Sequence, residues 1–219
     1  MDQSLVSLAR EKLYSGVISD VLDSLDNWRH AMAPNVRPLD ESLTLFGPAR
    51  TGLYSRIYHI DLAINPYELE IKLIDSLQPG EVPVLACPPG NLVAPWGELL
   101  STASRARKAA GAVTDGLVRD VRFIRAMGFP VFAGAIGPLD SKGRGIVTSI
   151  DAPVECGGVM VHPGDWIFGD VDGICVIPAA IAEKVIELSL EKVSQETTVR
   201  DELAAGEPLA SVFARHGVL

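Results

Sequence analysis

Cysteine is scarce in this 219-residue chain: Cys87, Cys156 and Cys175 are odd in number, far apart and form no CxxC pair. That fits reduced thiols in a cytoplasm, packed as small buried hydrophobes rather than as a disulfide framework. Positive charge is outweighed, with 19 Lys and Arg against 28 Asp and Glu and a net charge of −9. Such a balance argues against a phosphate-backbone binder, so no nucleic-acid partner is expected. Long apolar runs are missing too. The best, Gly173 to Ala182, is broken by Pro178 and falls short of the roughly 18 residues a membrane span requires. The Met-Asp-Gln-Ser start carries neither a basic region nor a signal-like apolar segment, so a cytoplasmic location is expected. No tandem repeat or low-complexity segment occurs. The 47% hydrophobic and 21% charged residues are ordinary globular proportions, which excludes disorder. A chain of this length buries a core without staples.

Apolar periodicity gives the elements. Residues 4 to 27 read as two helical pieces broken near Ser15-Gly16, with Ser15 as N-cap and Val17, Val21, Leu22 and Leu25 at helical spacing. Asn27 to Pro48 reads as loop, Ala49 to Tyr58 as strand, Tyr67 to Leu77 as helix and Val82 to Ala86 as buried strand. Then Glu98 to Ala109 (helix, ended at Gly111), Ala112 to Thr114 (strand), Val118 to Met127 (helix) and Pro130 to Gly134 (strand) alternate. That alternation favours parallel strands joined by crossover helices. From Ile146 to Ile177 short apolar runs are punctuated by Gly157-Gly158, Pro163-Gly164-Asp165 and Asp170-Val-Asp-Gly173, which are hairpin signals. A long amphipathic helix from Pro178 to about Glu196 and a shorter one close the chain, packing on its own core or on a neighbouring subunit. The expectation is a layered α/β domain with a β-rich second half.

Chemistry concentrates in Gly97-Glu98-Leu99-Leu100 and Asp115-Gly116-Leu117-Val118-Arg119-Asp120. Both lie where a loop enters a helix, and helix N-termini offer unpaired N–H groups to a carboxylate. Asp115-Gly116 is expected at the carboxyl end of a strand, where open α/β sheets place ligands. One carboxylate plus waters is an ordinary shell for Mg²⁺. A neighbouring guanidinium can hold the oxygens of an α-keto acid and stabilise an enolate. The bland alternative has Asp120 capping the helix and Arg119 in a surface ion pair.

The stretch APWGELLSTASRARKAAGAVTDGLVRD, with HPGDWIFGDVDGICVIP further on, resembles the family of class II 4-hydroxy-4-methyl-2-oxoglutarate/4-carboxy-4-hydroxy-2-oxoadipate aldolases. The regulator of ribonuclease E activity belongs to the same family. The resemblance covers roughly residues 15 to 180 and is densest from 95 to 177. It implies one domain over 1–219, a swivelling β/β/α-type fold with helical extensions at 1–28 and 178–219, and homotrimers or homohexamers with sites between subunits. It further implies a 2-oxo acid substrate and a divalent metal, Mg²⁺ or Mn²⁺, on Asp120. Arg119 is implied at the keto-acid oxygen and enolate, Glu98 as orienter of metal-bound water, and Gly97 with the Leu99 and Leu100 N–H groups at the pyruvyl carboxylate. Lys142 is implied near the distal part of the substrate.

Other residues carry less. Asp20 resembles a recurring family aspartate or is solvent-facing. His59 is an acid–base candidate or structural, and Asp170-Val-Asp172-Gly is a tight hairpin rather than a calcium loop. Arg105, Arg107 and Lys108 form a solvated helix face. The aldolases take one carboxylate from a neighbour's C-terminal extension, for which Glu191, Glu196 and Glu202 are available here. The rival to a pyruvate-releasing lyase is a non-catalytic, protein-binding regulator of a ribonuclease.

Overall fold

The computed structural model describes residues 1–59, 65–90 and 93–217. Two helices, α1 (Gln3–Lys12) and α2 (Ser15–Ser24), lead in. They are separated by extended backbone at Leu13 and Tyr14. Ser15 is the first residue of α2 and not its cap. Its N–H and hydroxyl both donate to the Asp170 carboxylate at 2.7 Å, so the helix start is satisfied from a distant turn.

The strands follow as β1 (Arg37–Pro38), β2 (Leu45–Arg56), β3 (Val82–Ala86), β4 (Ala112–Val118), β5 (Val131–Ile136) and β6 (Gly145–Ile150). After them come β7 (Val154–Cys156), β8 (Val159–Val161), β9 (Trp166–Asp170) and β10 (Gly173–Ile177). Helices α3 (Glu68–Asp75), α4 (Glu98–Ala106) and α5 (Val121–Met127) connect β2, β3, β4 and β5, which pair in parallel. These are the crossover units the alternating pattern predicts. Sheet order is β1-β5-β4-β3-β2-β9-β10, with β6 also on β2. The long β2 makes this arrangement work. Leu45 to Pro48 pair antiparallel with β9, and Gly52 to Arg56 pair with β6 further along.

The ends of the sheet are sewn together. Met32 N–H donates to Ile174 and Val176 N–H to His30, at 3.0 and 2.8 Å, before Arg37 and Pro38 pair with Ala133 and Phe132 on β5. The interior of this nearly closed sheet holds Leu45, Val84, Val113, Phe132, Ile167 and Val176. The β7–β8 hairpin inserts Val154, Cys156, Val159 and Val161 into the same core. Its two-residue turn, Gly157-Gly158, has φ of +57° and +77° at both positions, the primed geometry that matches strand twist. Outside, α3, α4 and α5 cover one flank through Leu73, Ile74, Trp96 and Ile124. The N-terminal helices and α6 (Ala182–Ala204) cover another through Ile18, Leu22, Phe46, Phe168 and Ile186. The C-terminal extension thus packs on its own core, and α7 (Leu209–His216) folds back on α6.

The layered α/β class with terminal helices is as expected, and several boundaries move. Leu45 to Pro48 are strand rather than loop, because Phe46 is buried against Trp166 and Phe168. Val118 ends β4 and does not begin a helix. A parallel bridge to Trp96 and the Arg119 N–H bond to the Trp96 carbonyl (3.0 Å) hold the chain extended up to Arg119. Asp115 is not at the strand end. It sits at an irregularity within β4, where its carboxylate accepts the Cys87 N–H at 2.7 Å and the Gly157 N–H at 3.0 Å. Burial raises its carboxyl while those bonds oppose the shift, so Asp115 ties two loops to the sheet. Helix α6 runs on to Ala204. Among the described residues no helix is long and apolar enough to cross a membrane.

Candidate active site

A cavity of about 300 Å³ opens beyond the carboxyl end of β4. Its wall is built by three elements. The entry to α4 and its first turn give Trp96, Gly97, Leu99 and Leu100, the turn after β4 gives Arg119 and Asp120, and α3 with its N-cap gives Tyr67, Glu70 and Ile71. Asp140 and Ser141, from the β5–β6 loop, complete it.

Asp120 occupies the left-handed region, with φ 60° and ψ 28°. A non-glycine residue pays a conformational cost of roughly 1 kcal/mol there, and aspartate is among the side chains that tolerate it. As N-cap residue of α5 it makes no side-chain capping bond. The capping alternative therefore does not describe its carboxylate, which turns towards α4 instead. Oδ2 lies 3.4 Å from the Glu98 N–H and 3.8 Å from the Arg119 Nε. Gly97 makes this approach feasible. A Cβ there would sit 2.9 Å from Asp120 Oδ2 and 3.2 Å from Arg119 Cγ. The turn is pinned from behind, since the buried Trp96 indole donates to Ser101 Oγ (2.8 Å), which donates to the Gly97 carbonyl (3.0 Å). The Leu99 and Leu100 N–H groups belong to the first turn of α4, where no intrahelical carbonyl is available and the helix dipole has its positive end.

The far end of the Arg119 guanidinium reaches Asp140, with Nη2 to Oδ1 3.4 Å. Tyr67 donates its hydroxyl to Asp140 Oδ2 at 2.7 Å. Burial works to raise the Asp140 carboxyl, but the Tyr67 bond, Arg119 and two backbone N–H groups outweigh it and the net shift is downward. Tyr67 is correspondingly raised to about 12, by burial first and then by Asp140. Deeper in the wall lies Glu70, only 5% exposed, whose Oε2 accepts the hydroxyl of the buried Tyr54 at 2.8 Å. Burial pushes the Glu70 carboxyl up to about 7, against the opposing effect of the Tyr54 bond. Arg119 is thus the cation among the cavity-lining residues, which also include three acidic groups.

Of the residues singled out in the sequence, Gly97, Leu99, Leu100, Arg119 and Asp120 line this cavity together. Glu98 adjoins it through its backbone, and its carboxylate accepts the Thr102 hydroxyl at 2.7 Å. Lys142 and His59 are exposed and do not line the cavity. Asp20 pairs with Lys192 at 2.5 Å on the far helical flank. Glu196 accepts the Tyr14 hydroxyl, Glu202 binds Arg215 and His216, and Glu191 is exposed. Arg107 binds the Asp75 carboxylate, in keeping with a solvated helix face. Tyr67, Glu70 and Asp140 are site residues that the motif reading missed. The signal for Glu70 was present: it occupies the buried stripe Glu70, Leu73, Ile74, Leu77, where a carboxylate requires a reason.

The described residues contain no cluster of three or more His, Cys, Asp or Glu able to hold a metal. A dehydrated protein cage is therefore absent among them. Asp120, whose side chain is 42% exposed at the cavity and makes only long contacts, at 3.4 and 3.8 Å, through Oδ2, suits a cation that keeps most of its water, as Mg²⁺ does.

A nearly closed mixed sheet flanked by helices, with a polar cleft at the carboxyl ends of its parallel strands, defines a layered α/β protein of one recognisable kind. The chain belongs to the RraA-like family, described as Aldolase/RraA, whose sequence model matches residues 17–176. A Halalkalibacterium halodurans protein named "Putative 4-hydroxy-4-methyl-2-oxoglutarate aldolase" is 34% identical over 175 residues, 80% of this chain and 77% of its own. An uncharacterized Methanocaldococcus jannaschii protein is 37% identical over 118 residues, 54% of this chain and 56% of its own. Among solved structures, Streptomyces coelicolor RraAS2, described as an unusual member of the RNase ES inhibitor RraA protein family, superposes with a TM-score of 0.79 at 25% identity, covering 91% of this chain and 97% of that one.

Proposed function

We propose that the protein is a divalent-metal-dependent lyase. It cleaves 4-hydroxy-2-oxo acids, of the 4-hydroxy-4-methyl-2-oxoglutarate type, to pyruvate and a second oxo acid, with oxaloacetate decarboxylation as a side activity. The observation that supports this best is the adjoining of the Arg119 guanidinium and the partly exposed Asp120 carboxylate over the first turn of α4. The Leu99 and Leu100 N–H groups receive the substrate carboxylate. Arg119 faces the C2 oxygen and stabilises the negative charge that gathers there as the C3–C4 bond breaks. Asp120 would ligate Mg²⁺ or Mn²⁺, and that ion would supply Lewis-acid stabilisation of the same charge. A water on the Glu98 side takes the C4 hydroxyl proton. Oxaloacetate loses CO₂ to the same enolate, which explains the side activity. The active unit is a homotrimer or homohexamer with the cleft at a subunit boundary.

The second reading, a ribonuclease regulator without catalysis, is favoured by the likeness to RraAS2. One experiment separates the two: pyruvate release from a panel of 4-hydroxy-2-oxo acids and oxaloacetate, with and without Mg²⁺. The expected result is turnover that chelator abolishes and that borohydride with pyruvate leaves untouched, since no Schiff base forms. Turnover that resists chelation sinks the metal assignment. No turnover of any 2-oxo acid, together with micromolar ribonuclease binding, reverses the ranking.

A further inference from the structure

The enolate that Arg119 stabilises must gain a proton at C3 before pyruvate leaves, and none of the groups assigned above supplies it. Among the described residues, Glu70 is the acidic side chain of the cavity wall without an ion-pair partner. Asp140 is engaged by Arg119 and Tyr67, and Asp120 adjoins Arg119 and the Glu98 N–H. A cavity of about 300 Å³, taken as a sphere, is about 8 Å across. A cavity of that size takes one small ligand, and the residues that line it share that ligand's space. One Glu70 oxygen is fixed by the Tyr54 hydroxyl, and Glu70 lines the same cavity as Arg119, Leu99 and Leu100. Tyr54 is 1% exposed on β2, so this hydrogen bond sets the carboxyl's orientation from a rigid strand.

We propose that Glu70 is the acid that protonates the C3 carbon of the enolate, with Tyr54 as its positioning residue. This rests on the lyase reading above. In the cleavage direction the neutral carboxyl gives its proton to C3. The electron pair of the enolate forms the new C–H bond, pyruvate results, and Glu70 is left as carboxylate to regain a proton from water. In reverse, the carboxylate removes a methyl proton from pyruvate. A group that must be charged in one direction and neutral in the other works best when both forms are populated near neutral pH. Burial brings Glu70 to that range. The charged and titratable groups around it are Tyr54 on β2, Cys87 after β3, Arg119 at the end of β4 and Asp140 in the β5–β6 loop.

The test is exchange of pyruvate methyl protons for deuterium, followed by proton NMR in D₂O with Mg²⁺ and the full-length assembly. Wild type should exchange, with a rate that rises through a limb near neutrality as the carboxylate forms. Glu70→Gln keeps an acceptor for Tyr54 and should lower the exchange kcat about a hundredfold or more, with a much smaller change in KM. Tyr54→Phe removes the bond that favours the charged carboxylate, so its limb should move to higher pH. A Glu70→Gln protein that exchanges at the wild-type rate, or a Tyr54→Phe limb that stays in place, overturns the proposal. If Glu70→Gln melts far below wild type, the Tyr54→Phe limb decides alone. Wild type that neither exchanges nor cleaves any 2-oxo acid overturns the lyase reading itself, a different result from an active enzyme indifferent to Glu70.

Discussion

Replacing Glu70 by glutamine should make the protein more stable at alkaline pH while leaving it little changed in mild acid. The reasoning is linkage. Glu70 is buried, and its carboxyl is pushed from the ordinary 4.5 up to about 7. A carboxyl that holds its proton more tightly when folded makes stability fall as pH rises. That loss starts above 4.5, where the unfolded chain ionises, and stops above about 7, where the native group has ionised too. Each pKa unit corresponds to about 1.4 kcal/mol, so the whole window is worth about 3 kcal/mol and the part between pH 5 and pH 8 about 2 to 3 kcal/mol. Glutamine does not titrate and still accepts the Tyr54 hydroxyl. The difference in unfolding free energy between Glu70→Gln and wild type should therefore grow by that amount from pH 5 to pH 8. Urea unfolding at four pH values with chelator present measures it, and subtracting wild type at each pH cancels the other titrating groups. A difference that is flat across the window to within about 0.5 kcal/mol would mean that Glu70 is charged throughout, or as solvated as in the unfolded chain.

Three further outcomes are expected. Arg119→Lys should lose about a hundredfold in pyruvate release, because a point-charge ammonium cannot replace the guanidinium that lies between Asp120 and Asp140; rates within threefold of wild type would count against the enolate role. Gly97→Ala should fold normally, since its φ of −157° is ordinary extended backbone, yet cut turnover at least about tenfold by pushing on Asp120 and Arg119; unchanged kinetics would show that their packing is not tight. Phe132→Ala, at a fully buried position inside the nearly closed sheet, should cost about 3 to 5 kcal/mol in urea unfolding, and a loss below about 1 kcal/mol would contradict the core described here.

Much of the fold follows from local pattern. Short apolar runs alternating with amphipathic stretches announce the β3–α4–β4–α5–β5 units, and Gly157-Gly158 announces its hairpin. What local pattern misses is set by partners far along the chain. Arg119 looks helical next to Val121 to Met127, but the Trp96 carbonyl, 23 residues away, holds its N–H in an extended path. Leu45 to Pro48 look like loop beside Pro34 and Pro38, yet β9 supplies a strand to pair with. Ser15 looks like a cap because its chemistry allows it, while the acceptor that satisfies α2 comes from Asp170, 155 residues distant.

The site divides along the same line. Arg119 and Asp120 are neighbours in sequence, and Gly97 to Leu100 form one helix start, so their chemistry is visible as a motif. Tyr54, Tyr67, Glu70 and Asp140 come from β2, α3 and the β5–β6 loop, and only the crossover of α3 brings them together. Adjacent residues can announce the gripping groups that the proposed lyase needs, since one helix start and one strand end suffice for that. On the lyase reading the proton that follows bond cleavage needs a donor not already engaged by Asp120 or Arg119, since a donor tied to them would compete for the same oxygens. A buried acid on the apolar stripe of α3 meets that requirement. The price is the neutral-pH instability that Glu70→Gln should remove, as stability and function make opposite demands on a single carboxyl.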